Sequence, residues 1–200
     1  MSIAIHRAVE HQAAIRGESP AYVDDGRSLT YRELNARANT LARALITSGF
    51  KRGSLAAVRM ERSPDLAITL LAVLKAGGAY MWTDRHDPSW PHGVSIVENG
   101  HGDEGRCIAV DMTRVLSEEP SPSPNLPILT RGTDIACVLR DRNGSPAVLV
   151  PHSTIASLPH LQVPREARWS GEGDALDLWL ALMSGATVTP MEAPLETAAA

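Results

Sequence analysis

The chain is poor in aromatic residues, cysteine and lysine. Aromatic side chains make up 4% of its 200 residues, with a single phenylalanine. A core must therefore be built mainly from Leu, Ala, Val and Ile, which the 44% hydrophobic content allows. The two cysteines, Cys107 and Cys137, are too far apart for a metal-ligand spacing, and each sits in an apolar run, C-I-A-V and I-A-C-V-L. They read as buried thiols in a reducing compartment, with a disulfide as the alternative. Lys51 and Lys75 are the only lysines, so arginine carries the positive charge, and the net charge is −4. No clustered basic patch is present, which excludes the footprint of a nucleic-acid binder. The most apolar stretch, Leu66–Leu74, falls far short of the roughly 20 residues of a membrane span. The N-terminus reaches charge and histidine within a few residues, unlike a signal peptide. The expectation is a soluble, cytoplasmic protein with one folded unit over residues 1–190 and a frayed tail over 191–200.

What is present is a regular alternation of elements. Ile5, Val9 and Ala13 at helical spacing predict a short amphipathic helix over 3–16. A-Y-V-D-D-G-R predicts a strand with a turn at Asp25-Gly26. Thr30-x-x-Glu33 is a capping box, opening a helix whose stripe is Leu34, Ala38, Leu41, Ala42 and Leu45 and whose end is Gly49. S-L-A-A-V-R-M predicts a strand. Ser63-Pro64 is an N-cap followed by proline at the first helical position. The helix it opens, to Ala76, is apolar on more than one face and so belongs in the interior. Gly77 and Gly78 stop it before the strand A-Y-M-W. Helix, strand, helix, strand at this spacing predicts an α/β fold, a mostly parallel sheet flanked by helices.

Residues 83–105 are rich in turn formers, with a helical piece expected around Val94–Glu98. C-I-A-V-D (107–111) reads as a strand, and residues 117–132, with prolines 120, 122, 124 and 127, as a surface loop. Two strands over 134–139 and 147–150 are expected to meet at a tight turn, Asn143-Gly144. A short helix from His152, a helix over 174–184 ending at Gly185 and the strand A-T-V-T complete the reading.

Three of these stretches resemble amino-acid adenylation domains of nonribosomal peptide synthetases, members of the AMP-binding, adenylate-forming family. Leu29–Leu34 matches that family's L-T-Y-x-E-L, Glu61–Asp65 its E-R-S-P-D, and Leu74–Tyr80 its L-K-A-G-x-A-Y. Met81-Trp82-Thr83-Asp84 then departs from the usual Pro-Leu-Asp ending. The resemblance implies an adenylate-forming large subdomain, here incomplete. The family's adenine-binding aromatic segment, ribose-binding aspartate, hinge and mobile-domain lysine have no counterpart within these 200 residues.

The resemblance also locates a site. The family's phosphate loop, rich in Ser, Thr and Gly and ending in Pro-Lys-Gly, cradles the ATP phosphates. Residues 134–152 align with it from both sides, but the loop is about three residues shorter. Asn143, Gly144, Ser145 and Pro146 are its remnant, Ala147 stands where lysine is expected, and Asp141 adds a carboxylate. Arg140 and Arg142 offer flexible positive charge instead of a shaped cradle, and the alternative reading is an ordinary hairpin turn. Before the helix at 175–184 the family carries an aspartate for the substrate's ammonium group. Here the stretch is S-G-E-G-D, so Glu172 or Asp174 would substitute, or both form a solvated acidic helix cap.

Other patterns carry less. Gly100, Gly102 and Gly105 satisfy G-x-G-x-x-G, but a strand follows where a dinucleotide fingerprint needs a helix. His86, Asp87, His92, His101 and Asp103 form a loose polar loop without compact ligand spacing. Ser153 beside His152 is not triad geometry. No catalytic residue and no metal ligand is assigned. Three functional expectations follow. One is a non-catalytic partner or scaffold in nonribosomal peptide synthesis, binding synthetase subunits or itself. The second is half of a split amino-acid-activating enzyme, taking ATP and Mg only when a partner completes the site. The third is a vestigial product.

Overall fold

Thr30 ends a strand and starts a helix. Its Oγ1 accepts from the Glu33 amide at 3.2 Å, and the Glu33 carboxylate accepts from the Thr30 amide at 2.8 Å. Two of the amides left free at the helix start are thereby satisfied. The computed structural model describes residues 4–83, 94–98, 107–110, 124–127, 130–140, 146–158, 164–169 and 175–190. In it α1 (Ile5–Ile15) leads into the hairpin β1 (Pro20–Asp24) and β2 (Arg27–Thr30). Asp25 and Gly26, both at positive φ, make its turn, so the predicted strand is a pair of strands.

Helix α2 (Tyr31–Thr47) buries its predicted stripe, and Gly49 follows at φ 90°. Strand β3 (Leu55–Arg59) leads to α3 (Pro64–Lys75), where the Ser63 hydroxyl accepts from the Leu66 amide at 3.2 Å. Every residue of α3 is buried. The two glycines after it do different work. Gly77 adopts φ 79°, the left-handed conformation that ends a helix. Gly78 backs onto its neighbours: a Cβ there would fall on the Phe50 ring and lie 2.9 Å from the Ser54 carbonyl oxygen.

Strand β4 (Ala79–Thr83) joins β5 (Val94–Glu98), β6 (Cys107–Val110), β7 (Ile135–Arg140) and β8 (Pro146–Pro151) in a six-stranded sheet of order β6-β5-β3-β4-β7-β8. All its pairings are parallel except β7–β8. The helix expected around Val94–Glu98 is therefore a strand. Val94, Ile96 and Val97 are β-branched, and the segment has a partner on each side, β3 and β6.

The chain then adds α4 (His152–Ala156), β9 (Glu166–Trp169), α5 (Leu176–Ser184) and β10 (Thr187–Pro190). Strand β10 pairs in parallel with both β1 and β9, giving a second sheet of order β2-β1-β10-β9. The single sheet anticipated from the sequence is thus two. Strand β9 carried no signal beyond Ala167 and Trp169, since Glu166 and Arg168 between them are exposed.

Few as they are, the aromatics tie the sheets together. Trp82 of β4 meets Trp169 of β9 at 5.3 Å between ring centroids, and Tyr22 of β1 meets Trp169 at 6.3 Å. The Trp82 indole donates to the Met60 carbonyl at 2.9 Å, and the Trp179 indole to the Tyr80 hydroxyl at 2.5 Å. Tyr31 lies with its hydroxyl 3.1 and 2.7 Å from the carbonyls of Leu182 and Ala186, fastening the end of α5 to the start of α2. Its burial raises the phenol above its ordinary range. Cys137 is buried.

Candidate functional site

The strands on either side of the expected phosphate-loop remnant form the one antiparallel pair of the six-stranded sheet. Ile135 pairs with Pro151 at the foot of the β7–β8 hairpin and Arg140 with Pro146 at its top. Five residues, 141–145, connect that last pair. Asp141, Arg142, Asn143, Gly144 and Ser145 lie outside the described residues, as do Glu172 and Asp174. Of the remnant, the structure places Pro146, as the first residue of β8. Having no N–H, it suits the start of an edge strand. Among the described residues strand β8 is the edge of the sheet, and Val148 and Leu149 on it are 53% and 64% exposed. Helix α5, expected behind the acidic stretch, begins at Leu176 with no side-chain cap on Ala175.

The foot of the hairpin is firmly tied. The His152 amide donates to the Asp134 carbonyl at 3.0 Å, and the Ser153 amide to the Gly132 carbonyl at 2.8 Å. The Asp134 carboxylate accepts from the Arg131 amide and from the Arg52 guanidinium, each at 2.9 Å. Those contacts, led by the Arg131 amide, hold its carboxyl below the usual range. His152 itself is fully buried. Its Nδ1 accepts from the Ile5 amide of α1 at 3.3 Å, and its ring meets His6 edge-on at 5.7 Å. Ser153 is the next residue of the helix, and His152 Nδ1 is taken up by the Ile5 amide, so the ring serves packing here.

Beside the histidines is a buried ion pair. Lys75 Nζ donates to Glu10 Oε1 at 2.5 Å, with the two side chains 0% and 7% exposed. Burial pushes the Lys75 ammonium down to about 8, against the opposing pull of Glu10. Arg7 also donates to Glu10, at 2.8 Å. The same groups pin the proline-rich segment. Asn125 Oδ1 accepts from Asn35 at 3.0 Å, Asn39 at 3.1 Å and Lys75 at 3.4 Å. The Leu126 carbonyl accepts from Arg7 at 3.3 Å and the Pro124 carbonyl from Arg43. Leu126 itself is buried, so this part of the expected surface loop is anchored. The sequence reading missed this network. The available signal was a lysine in the last turn of a helix apolar on several faces: such a charge needs a partner.

Among the described residues no group of three or more His, Cys, Asp or Glu could hold a metal ion, and no helix is long and apolar enough to cross a membrane. His86, Asp87, His92, His101 and Asp103 lie outside those residues.

Known proteins resemble this chain in both sequence and fold. Residues 9–91 match the family described as AMP-binding enzyme. Surfactin synthase subunit 2 of Bacillus subtilis is 32% identical over 95% of this chain, and tyrocidine synthase 1 of Brevibacillus parabrevis is 30% identical over 92%. The chain spans 6% and 19% of those two proteins' lengths. An artificially fused adenylation–PCP di-domain from Klebsiella oxytoca, NpsA-ThdA, superposes with a TM-score of 0.77 at 24% identity, over 94% of this chain and 39% of the other. The N-terminal subdomain of NpsA gives 0.76 at 24% identity, over 96% and 54%. These solved structures speak for the fold, and the sequence matches for the ancestry. The chain belongs to the AMP-binding, adenylate-forming family and covers part of an adenylation domain of the nonribosomal-peptide-synthetase kind.

Proposed function

We propose that this chain is a non-catalytic, adenylation-like component of nonribosomal peptide synthesis, acting as a partner or scaffold for synthetase subunits. The observation that carries the reading is the β7–β8 hairpin. Its strands are in place, but Arg140 pairs with Pro146 across only five residues, D-R-N-G-S. The lysine position holds Ala147, and Asp141 brings a negative charge. Phosphoryl chemistry depends on positioned donors and cations aimed at the developing charge. At about 4 Å a carboxylate facing a phosphate oxygen costs roughly 1 kcal/mol in water and about 4 kcal/mol near a protein surface. ATP therefore fits this turn poorly.

A second reading, half of an enzyme completed in trans, draws on the exposed Val148 and Leu149 at the β8 edge, where another chain could pair. ATP–pyrophosphate exchange over an amino-acid panel, with and without synthetase subunits from the same source, separates the two. No exchange in either setting, together with recovery of a synthetase subunit in a pull-down, is the expected result. Exchange by the chain alone overturns the proposal, and exchange only with a partner establishes the split enzyme.

A further inference from the structure

We propose that His6 and His152 form a proton-sensitive clasp that holds helix α1 against the foot of the β7–β8 hairpin and lets it go as both rings take up protons. The geometry comes first. Helix α1 has Ala4 at its N-cap, which offers no side-chain acceptor. The Ile5 amide, one of the donors left over in any first turn, goes instead to His152 Nδ1 at 3.3 Å, from 147 positions away. His152 is therefore a remote cap. Accepting at Nδ1 requires that nitrogen to be unprotonated, and a second proton on the ring removes the acceptor. The positive end of the α1 dipole would then face a cation.

The surroundings oppose that charge. His6 and His152 are 2% and 0% exposed, and their rings meet edge-on at 5.7 Å. His6 Nδ1 and His152 Nε2 are buried without a hydrogen-bond partner among the described residues. The groups around them are His6, Arg7 and Glu10 on α1, Lys75 on α3, Arg43 on α2 behind Lys75, and Asp134 before β7. Helix α5, also packed on α1 and α4, carries Asp177 as its one titratable side chain. Glu10 is already committed to Lys75 and Arg7. Burial, then the neighbouring His152, Lys75 and Arg7, push His6 down to about 2. Burial pushes His152 down to about 4 against the pull of Asp134.

The sign follows from linkage. Free histidine takes its proton near pH 6.5. Between that value and the depressed ones, the open form binds protons that the docked form refuses. Docking is therefore fully present above pH 6.5 and weakens as pH falls below it. With two histidines released, opening of α1 becomes easier by some tens-fold from pH 6 to pH 5, and with one by nearly tenfold.

Hydrogen exchange, corrected for its intrinsic pH dependence, reads this directly when residues 4–16 are compared with α2 as the internal reference. The expected result is a tens-fold loss of protection in α1 from pH 6 to 5 while α2 holds. His152→Gln keeps an acceptor without a titrating ring and should reduce the loss to nearly tenfold. His6→Gln, which leaves the cap in place, should do the same, so the test survives if one variant fails to fold. An α1 protection independent of pH, a parallel loss in α1 and α2, or an unchanged loss in both variants would overturn the proposal.

Discussion

Helices α1 and α2 pack against each other and are held by opposite means. Helix α2 carries its own cap: Thr30 and Glu33 bond within four residues of sequence, the Tyr31 and Arg32 amides reach only to the nearby Ser19 and Gly17 carbonyls, and an apolar stripe seats it. Helix α1 borrows nearly everything. Its first amide goes to His152, Glu10 reaches Lys75, Gln12 donates to the Met183 carbonyl at 2.9 Å, and Arg16 to the Gly185 carbonyl at 3.0 Å. One helix is specified locally and the other by the rest of the fold. A helix of α1's length is marginal by itself in water. It should therefore report on tertiary integrity, whereas α2 should persist when neighbours are lost.

The strongest way to break that contrast is to strand one partner of the buried pair. Lys75→Met leaves Glu10 buried with only the half-exposed Arg7 beside it, and should cost about 3–5 kcal/mol in urea unfolding. The double change Glu10→Leu with Lys75→Met should recover most of that loss, because a matched apolar pair carries no uncompensated charge. No recovery in the double variant would mean that the anchored Asn125 segment, rather than the ion pair, holds α1. Thr30→Ala tests the local side. It should cost about 1 kcal/mol and leave protection of α1 unchanged. A smaller effect sharpens the scale: Arg32 and Glu18 pair at 2.7 Å with side chains 71% and 79% exposed. Their removal should stay within about 0.5 kcal/mol by the same unfolding measurement, since exposed pairs contribute little.

The same contrast explains what the sequence disclosed. Thr30-x-x-Glu33, Ser63-Pro64 and the glycines at 49, 77 and 185 are signals whose cause lies within a few residues, and each element they bound is present. At Val94–Glu98 five residues are too few to show a period, and only the strands beside it settle its conformation. Strand β9 was missed for a similar reason, as its single partner, β10, lies about twenty residues on. His152 as a cap, and Asn125 as the acceptor that gathers Asn35, Asn39 and Lys75, depend on contacts no local pattern encodes. The reading of Asn143–Pro146 as a phosphate-loop remnant rests on residue identity, with Ala147 and Asp141 as its departures. The hairpin's register adds how few residues bridge its strands.

Strand β8 has one more consequence. An edge that displays Val148 and Leu149 is the kind of surface on which chains stack into fibrils. Here it is bracketed by Pro146 and Pro151, neither of which can donate to a growing ladder. A visiting strand would find only a short run of donors between two blunt ends. The rim thus admits at most a short partner strand and resists open-ended stacking.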